Sequence, residues 1–118
     1  MTESRLFALV EKALPARAFF ILAPMGVREP YLILSRVSLV PQNTLCGYAQ
    51  TDRVSYRLDS YARTRAEALI HIERAVANLR ASDDPPTFDN EQDLYEEGTR
   101  IHRVTIDLIT WFEPEVKP

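Results

Sequence analysis

The sequence predicts an α+β fold: a single antiparallel or mixed β-sheet of four to five strands, with two helices packed on one face. Three observations carry this. Residues 53–61 alternate, with Val54, Tyr56 and Leu58 on one side and Arg53, Arg57 and Asp59 on the other, the period of two of a half-buried strand. A segment of helical period follows at once. Residues 100–112 alternate again, Val104, Ile106 and Leu108 against Arg103, Thr105 and Asp107. At 118 residues the chain is long enough for one core and too short for two. Residues 1–113 are expected to form one domain and 114–118, bounded by Pro114 and Pro118, a flexible tail.

Taken in order, residues 2–14 place Leu6, Leu9, Val10 and Ala13 on one helical face, with Thr2 or Ser4 as cap and Pro15 as the stop. The run Ala18-Phe19-Phe20-Ile21-Leu22 is short and apolar, and its aromatics favour a strand. Pro24, Gly26 and Pro30 punctuate a loop. Residues 31–39 are apolar on both faces, which suits a central strand. Residues 41–52 read as a long polar connection with its tip at Gln42-Asn43-Thr44, and loops of this length are frequent partner sites.

The helix over 64–80 begins with a capping box, Thr64-x-x-Glu67, and carries one stripe of Leu69, Ile72, Val76 and Leu79 beside Ala68 and Ala75. Glu67, His71, Arg74 and Asn78 lie opposite and are expected to be wet. Pro85-Pro86 breaks the chain. Residues 88–95 form a strand whose polar run, Asp89 to Asp93, places it at an edge. Gly98 then supplies a tight hairpin. Whether strands joined through the central helix pair in parallel is open at this level.

Chemistry is sparse. The net charge of −3 argues against a general nucleic-acid binder. Lys12 and Lys117 are the only lysines, so the cations are nearly all arginine, which pairs well at interfaces. Cys46 is the only cysteine; it lacks a basic neighbour to stabilise a thiolate, and a reducing compartment is expected. The apolar run 6–10 is interrupted by Glu11 and Lys12, which fits neither a signal peptide nor a membrane span. His71 with Glu67 reads as a surface ion pair, and His102 as a sheet histidine. No serine sits in a nucleophile elbow, and three glycines make no phosphate cradle. Seven acids between Asp83 and Glu97, with no base among them, read as a solvated edge, a divalent-metal site without the fixed ligand spacing of a calcium loop, or a surface that repels or merely passes a polyanion. Catalytic, cofactor-binding and metal residues are assigned to none.

Three stretches carry a resemblance. "LAPMGVREPYLILSRVS" holds Pro24, Gly26, Pro30, Tyr31 and Arg36; "VSYRLDSYARTRAEALIHIERAVANL" runs a strand through Asp59, Tyr61 and Ala62 into an alanine-rich helix; "DLYEEGTRIHRVTIDLITWF" sets Asp93, Tyr95, Gly98, Arg103, Asp107 and Trp111 in order. Together these resemble the small tail-completion (tail terminator-like) proteins of long-tailed bacteriophages and prophages, over residues 6–112. The chain departs from them at residues 83–86, which lack the usual glycines, and at Ser60, where a larger residue is usual.

The resemblance implies a structural protein of the virion tail, made in the host cytoplasm, with no enzymatic role, cofactor or membrane. Its implied place is the head-proximal end of the tail tube, stopping polymerisation and joining the filled head. Implied partners are further copies in a ring, six-fold by analogy, the tail tube protein and head–tail connector proteins, with DNA only in transit. A ring needs two unlike patches. Arg53, Arg57, Arg100 and Arg103 offer one sign; Asp89, Glu91, Asp93, Glu96 and Glu97 offer the other, or line the lumen. Two other readings are a small cytoplasmic ligand-binding, regulatory or enzymatic domain with its site between the 41–52 loop and the sheet, and a nucleic-acid binder using Tyr56, Tyr61 and the arginines.

Overall fold

The structure, a computed structural model, describes residues 3–44 and 47–112. The elements run α1 (Glu3–Glu11), β1 (Ala18–Phe20), β2 (Tyr31–Thr44), β3 (Gly47–Ala62), α2 (Arg65–Arg80), β4 (Thr87–Glu96) and β5 (Ile101–Phe112). One five-stranded sheet has the order β1-β2-β3-β5-β4. It is mixed: β1 pairs with β2 in parallel and the other neighbours are antiparallel. The crossover through α2 makes β4 parallel to β3, but β5 lies between them. The question left open by the sequence is thus answered by β5 taking the inner place.

Both helices cover one face. The register places Leu34, Leu58 and Ile106 in one row across β2, β3 and β5, and Tyr56 beside Leu108 in the next. These side chains are buried under Leu6 and Val10 of α1 and Ala68, Ile72, Ala75 and Leu79 of α2. Burying each large aliphatic contributes about 1.5–3 kcal/mol before entropy. Polar ties then fix the helices. Thr64 caps α2 by accepting from the Glu67 N–H at 3.2 Å. Ser60 Oγ donates to the Ala68 carbonyl at 2.8 Å inside the core, so the small residue at this strand position lets α2 sit close. Tyr56 Oη donates to Glu3 of α1 at 2.7 Å.

Four expectations are corrected. His71 is buried rather than wet. Asn78, two turns further on, is half-buried and donates its Nδ2 to the Leu9 carbonyl of α1 at 3.2 Å, so this flank of α2 is packed rather than solvated. Arg74 remains exposed. The 41–52 loop is instead the far part of a β2–β3 ribbon, paired as far as Thr44 with Gly47. Residues 41–52 show no alternation of apolar and polar residues, so the period that marks a strand is missing there. At the β4–β5 turn the positive φ falls on Arg100, at 58°, whose N–H bonds the Glu96 carbonyl at 2.8 Å; Gly98 sits in open space and is not required for it. Finally, Tyr56 lies in the core and is unavailable for stacking on a base. The Thr2 cap, Cys46 and the tail at 114–118 lie outside the described residues.

Candidate functional site

The helix-free face of the sheet gathers seven of the residues singled out from sequence, Tyr31, Arg53, Arg57, Asp59, Arg103, Asp107 and Trp111. The residues of β3 that alternate with its core set, Arg53, Ser55, Arg57, Asp59 and Tyr61, all lie on this face, and the register aligns them in cross-strand rows. One row is Tyr31, Tyr61, Arg103 and Leu94; the next holds Ile33, Asp59, Thr105 and Gln92; then come Ser35, Arg57 and Asp107. Arg53 stands beside Trp111 further along.

Charges on this face are largely matched within the chain. Arg103 reaches one oxygen of Asp59 with both Nε and Nη2 at 3.0 Å, and Asp59 is 5% exposed. Burial alone would lower the Arg103 pKa, but the hydrogen bond and charge of Asp59 overcome it and hold it above the usual arginine value. Arg57 Nε donates to Asp107 at 3.0 Å. Tyr31 and Tyr61 stack with ring centroids 4.9 Å apart, Arg103 lies 5.6 Å from the Tyr61 ring centroid, and Phe19 meets Tyr31 edge-on. Burial, with the nearby carboxylates of Glu29 for Tyr31 and Asp59 for Tyr61 next in weight, raises both tyrosine pKa values. The face is therefore an aromatic and hydroxyl surface with neutralised ion pairs, suited to adhesion.

The acids are elsewhere. Glu91 and Asp93 share rows with Ile106 and Val104, so they project on the helix side. Asp93 takes a hydrogen bond from Arg65 of α2 at 2.9 Å. Asp89 lies in the irregular stretch between Phe88 and Glu91, Glu96 accepts from the Thr99 hydroxyl at 3.1 Å, and Glu97 and Arg100 belong to the turn. The strand is at the sheet edge, as its polar run predicts. The structure thus brings Arg53, Arg57 and Arg103 together on one face and puts Glu91 and Asp93 on the other.

Of the remaining motif residues, Pro24 and Gly26 lie in the exposed return from β1 to β2, and Gly26 has a φ of 87°. Arg17 binds the carbonyls of Pro30 and Arg28 and ties that return to the start of β1. Glu29 pairs with Arg63 at 3.6 Å. The histidines do not converge: His71 faces Glu67 at 3.9 Å with its Nδ1 buried and unpartnered, while His102 packs on Tyr95 with ring centroids 4.6 Å apart. No group of three or more metal-ligating side chains is assembled among the described residues. No described helix is long and apolar enough to cross a membrane.

The stacked Tyr31–Tyr61 pair and the Asp59–Arg103 clamp are what sequence reading missed as a unit. Each residue was visible in its motif, but only strand register makes them neighbours.

Two helices on one face of a mixed sheet, with the other face aromatic and charge-balanced, define a small two-layer α+β protein. The family follows from the sequence itself: the model of the family described as Tail completion protein gp17 matches residues 2–113. This chain belongs to that tail completion family and is a phage-type structural tail protein. Among solved structures it is similar to a chain from the virion of a native gene transfer agent (GTA) particle, with a TM-score of 0.68 and 12% identity, covering 93% of this chain and 88% of that one. At that identity the likeness speaks for the fold. No curated protein sequence matches the chain.

Proposed function

We propose that this protein caps the head-proximal end of a tail tube as a ring of copies and presents the surface to which the head is joined. The observation that carries this reading is the membership of residues 2–113 in the tail completion family, joined to a helix-free face whose ion pairs are internally matched. Such a face offers aromatic area with little net charge, which suits a permanent joint between proteins. The copies assemble in the host cytoplasm as hexamers by analogy, with the tail tube protein below and connector proteins above, and they convert no substrate. Arg53, Arg57, Arg100 and Arg103 belong to the docking surfaces. For Asp89, Glu91, Asp93, Glu96 and Glu97, contact between copies is favoured over lining the lumen, because Glu91 borders a groove beside α2.

The test is deletion of the coding sequence in an inducible prophage that carries it, followed by electron microscopy. Headless tails of uncontrolled length beside full, tailless heads are expected, and restoration by the intact chain. Normal tails with heads attached would refute the proposal.

A further inference from the structure

The two edges of the sheet are unlike, and they complement one another. Beyond β1 the chain turns back to β2, and this return exposes large apolar side chains: Ile21 is 67% exposed, Leu22 76% and Met25 fully so. Arg28 follows them, exposed and with no ion-pair partner among the described residues. At the opposite edge α2 meets β4 through two long side chains, Arg65 on Asp93 and Arg80 over Phe88. That leaves a groove of about 680 Å³ between α2 and the β4–β5 side of the sheet. Val76 and Ala77 line it beside the nearly buried Ile72 and Ile106. Glu73 and Glu91 line it too, both exposed and without an ion-pair partner among the described residues. Arg80, which also lines the groove, lies over the Phe88 ring at 5.1 Å.

From this we infer that the β1–β2 return of one copy seats in the α2–β4 groove of the next, with Ile21, Leu22 and Met25 on its apolar lining and Arg28 between Glu73 and Glu91. The inference rests on the ring proposed above and specifies its subunit contact. Two features argue for a second copy as the occupant. The knob carries Arg28 and the groove carries two carboxylates, Glu73 and Glu91, against the single cation of Arg80, so the two are complementary in sign. They also lie on opposite edges of one sheet, about 19 Å apart at the usual strand spacing. A patch meeting a different patch on the far side of its neighbour is the head-to-tail geometry that propagates and closes a ring, whereas a two-fold contact would stop at a dimer.

Cysteine trapping tests it on the full chain in a Cys46→Ser background. One chain carries Met25→Cys and the other Ala77→Cys; both sites are exposed, so neither substitution opens the core. Mixed at high concentration and oxidised, the two are expected to yield the mixed disulfide in about tenfold excess over either like-with-like product, as proximity in a specific contact raises effective concentration. A chain carrying both substitutions should give a ladder of oligomers. Arg28→Glu should lower the mixed product about threefold, and adding Glu73→Arg with Glu91→Arg should restore it, which a folding defect would not do. Predominance of a like-with-like product, or no excess over a Thr99→Cys control in place of Ala77→Cys, overturns the inference. The outcomes separate from those of the deletion. Uncontrolled tails without the mixed disulfide would remove this contact and leave the capping reading intact, and the mixed disulfide with normal tails would do the reverse.

Discussion

Within β3, neighbouring residues live in different media. Val54, Tyr56, Leu58, Ser60 and Ala62 face the helices and are all but inaccessible, while Arg53, Ser55, Arg57, Asp59 and Tyr61 face the uncovered side. The first set determines that the domain folds, and the second determines what it presents. The same alternation that makes the strand also separates the two tasks, so substitutions one residue apart should have effects of very different size and kind.

The largest difference is expected between Leu58 and Arg57. Leu58→Ala leaves a cavity beneath α2 and should cost about 2–5 kcal/mol, whereas Arg57→Ala on the open face should cost less than about 1 kcal/mol. Urea denaturation checks both through the midpoint, at unchanged slope. Equal losses would mean that the uncovered face is as much a part of the core as the covered one. Asp59 tests where that division blurs. It sits on the open face yet is buried, because the Arg103 guanidinium covers it and neighbouring rows crowd it. Asp59→Ala should cost about 1–3 kcal/mol, since Arg103 is left partly buried without its partner. Replacing both residues by apolar ones should cost less than the single change.

Tyr56 probes the covered side by pH. Burial first, then the hydrogen bond to Glu3, pushes its phenol far above the usual tyrosine range. The unfolded chain loses this proton near about pH 10, while the folded chain keeps it. Above that pH the unfolded state binds fewer protons, so stability falls as pH rises. Tyr31 and Tyr61 are shifted the same way. Tyr56→Phe should cost about 1 kcal/mol at neutral pH through the lost hydrogen bond and flatten the alkaline decline. Denaturation curves between neutral pH and alkaline pH for the two chains would show an unchanged decline if Tyr56 were not its main source.

These contrasts also explain what the sequence could and could not disclose. The alternation in 53–61, the Thr64 cap and the stripe through Leu79 are local signals, and each maps onto β3, the α2 N-terminus or the α2 core face. His71 is buried although it lies opposite the apolar stripe, because helical period says nothing about what packs alongside a helix. The ribbon at 41–52 escaped because its residues carry no apolar rhythm. The site was legible residue by residue, through Asp59, Tyr61, Arg103, Asp107 and Trp111 in their motifs. Its arrangement was not, because the Tyr31–Tyr61 stack and the Arg103–Asp59 clamp depend on the register of strands that are distant in sequence.

The smallest expected effect on stability belongs to Arg57 and Asp107, and it sharpens the contrast most. The two sit directly opposite on β3 and β5, bonded at 3.0 Å, and both are partly open to solvent. A double-mutant cycle with alanine should return a coupling of about 0.2–1 kcal/mol, which salt reduces. Exchanging the charges, Arg57→Asp with Asp107→Arg, keeps the pair and should leave the denaturation midpoint within about 0.5 kcal/mol of the parent. If the helix-free face docks on a partner, the exchange presents each charge to the wrong group, and like charges brought together there disfavour the complex. The exchanged chain should therefore fold normally yet fail to restore finished tails in a deletion strain. Full restoration by that chain would mean the pair only braces β3 against β5, and that docking falls to Arg53, Trp111 and the two sheet edges.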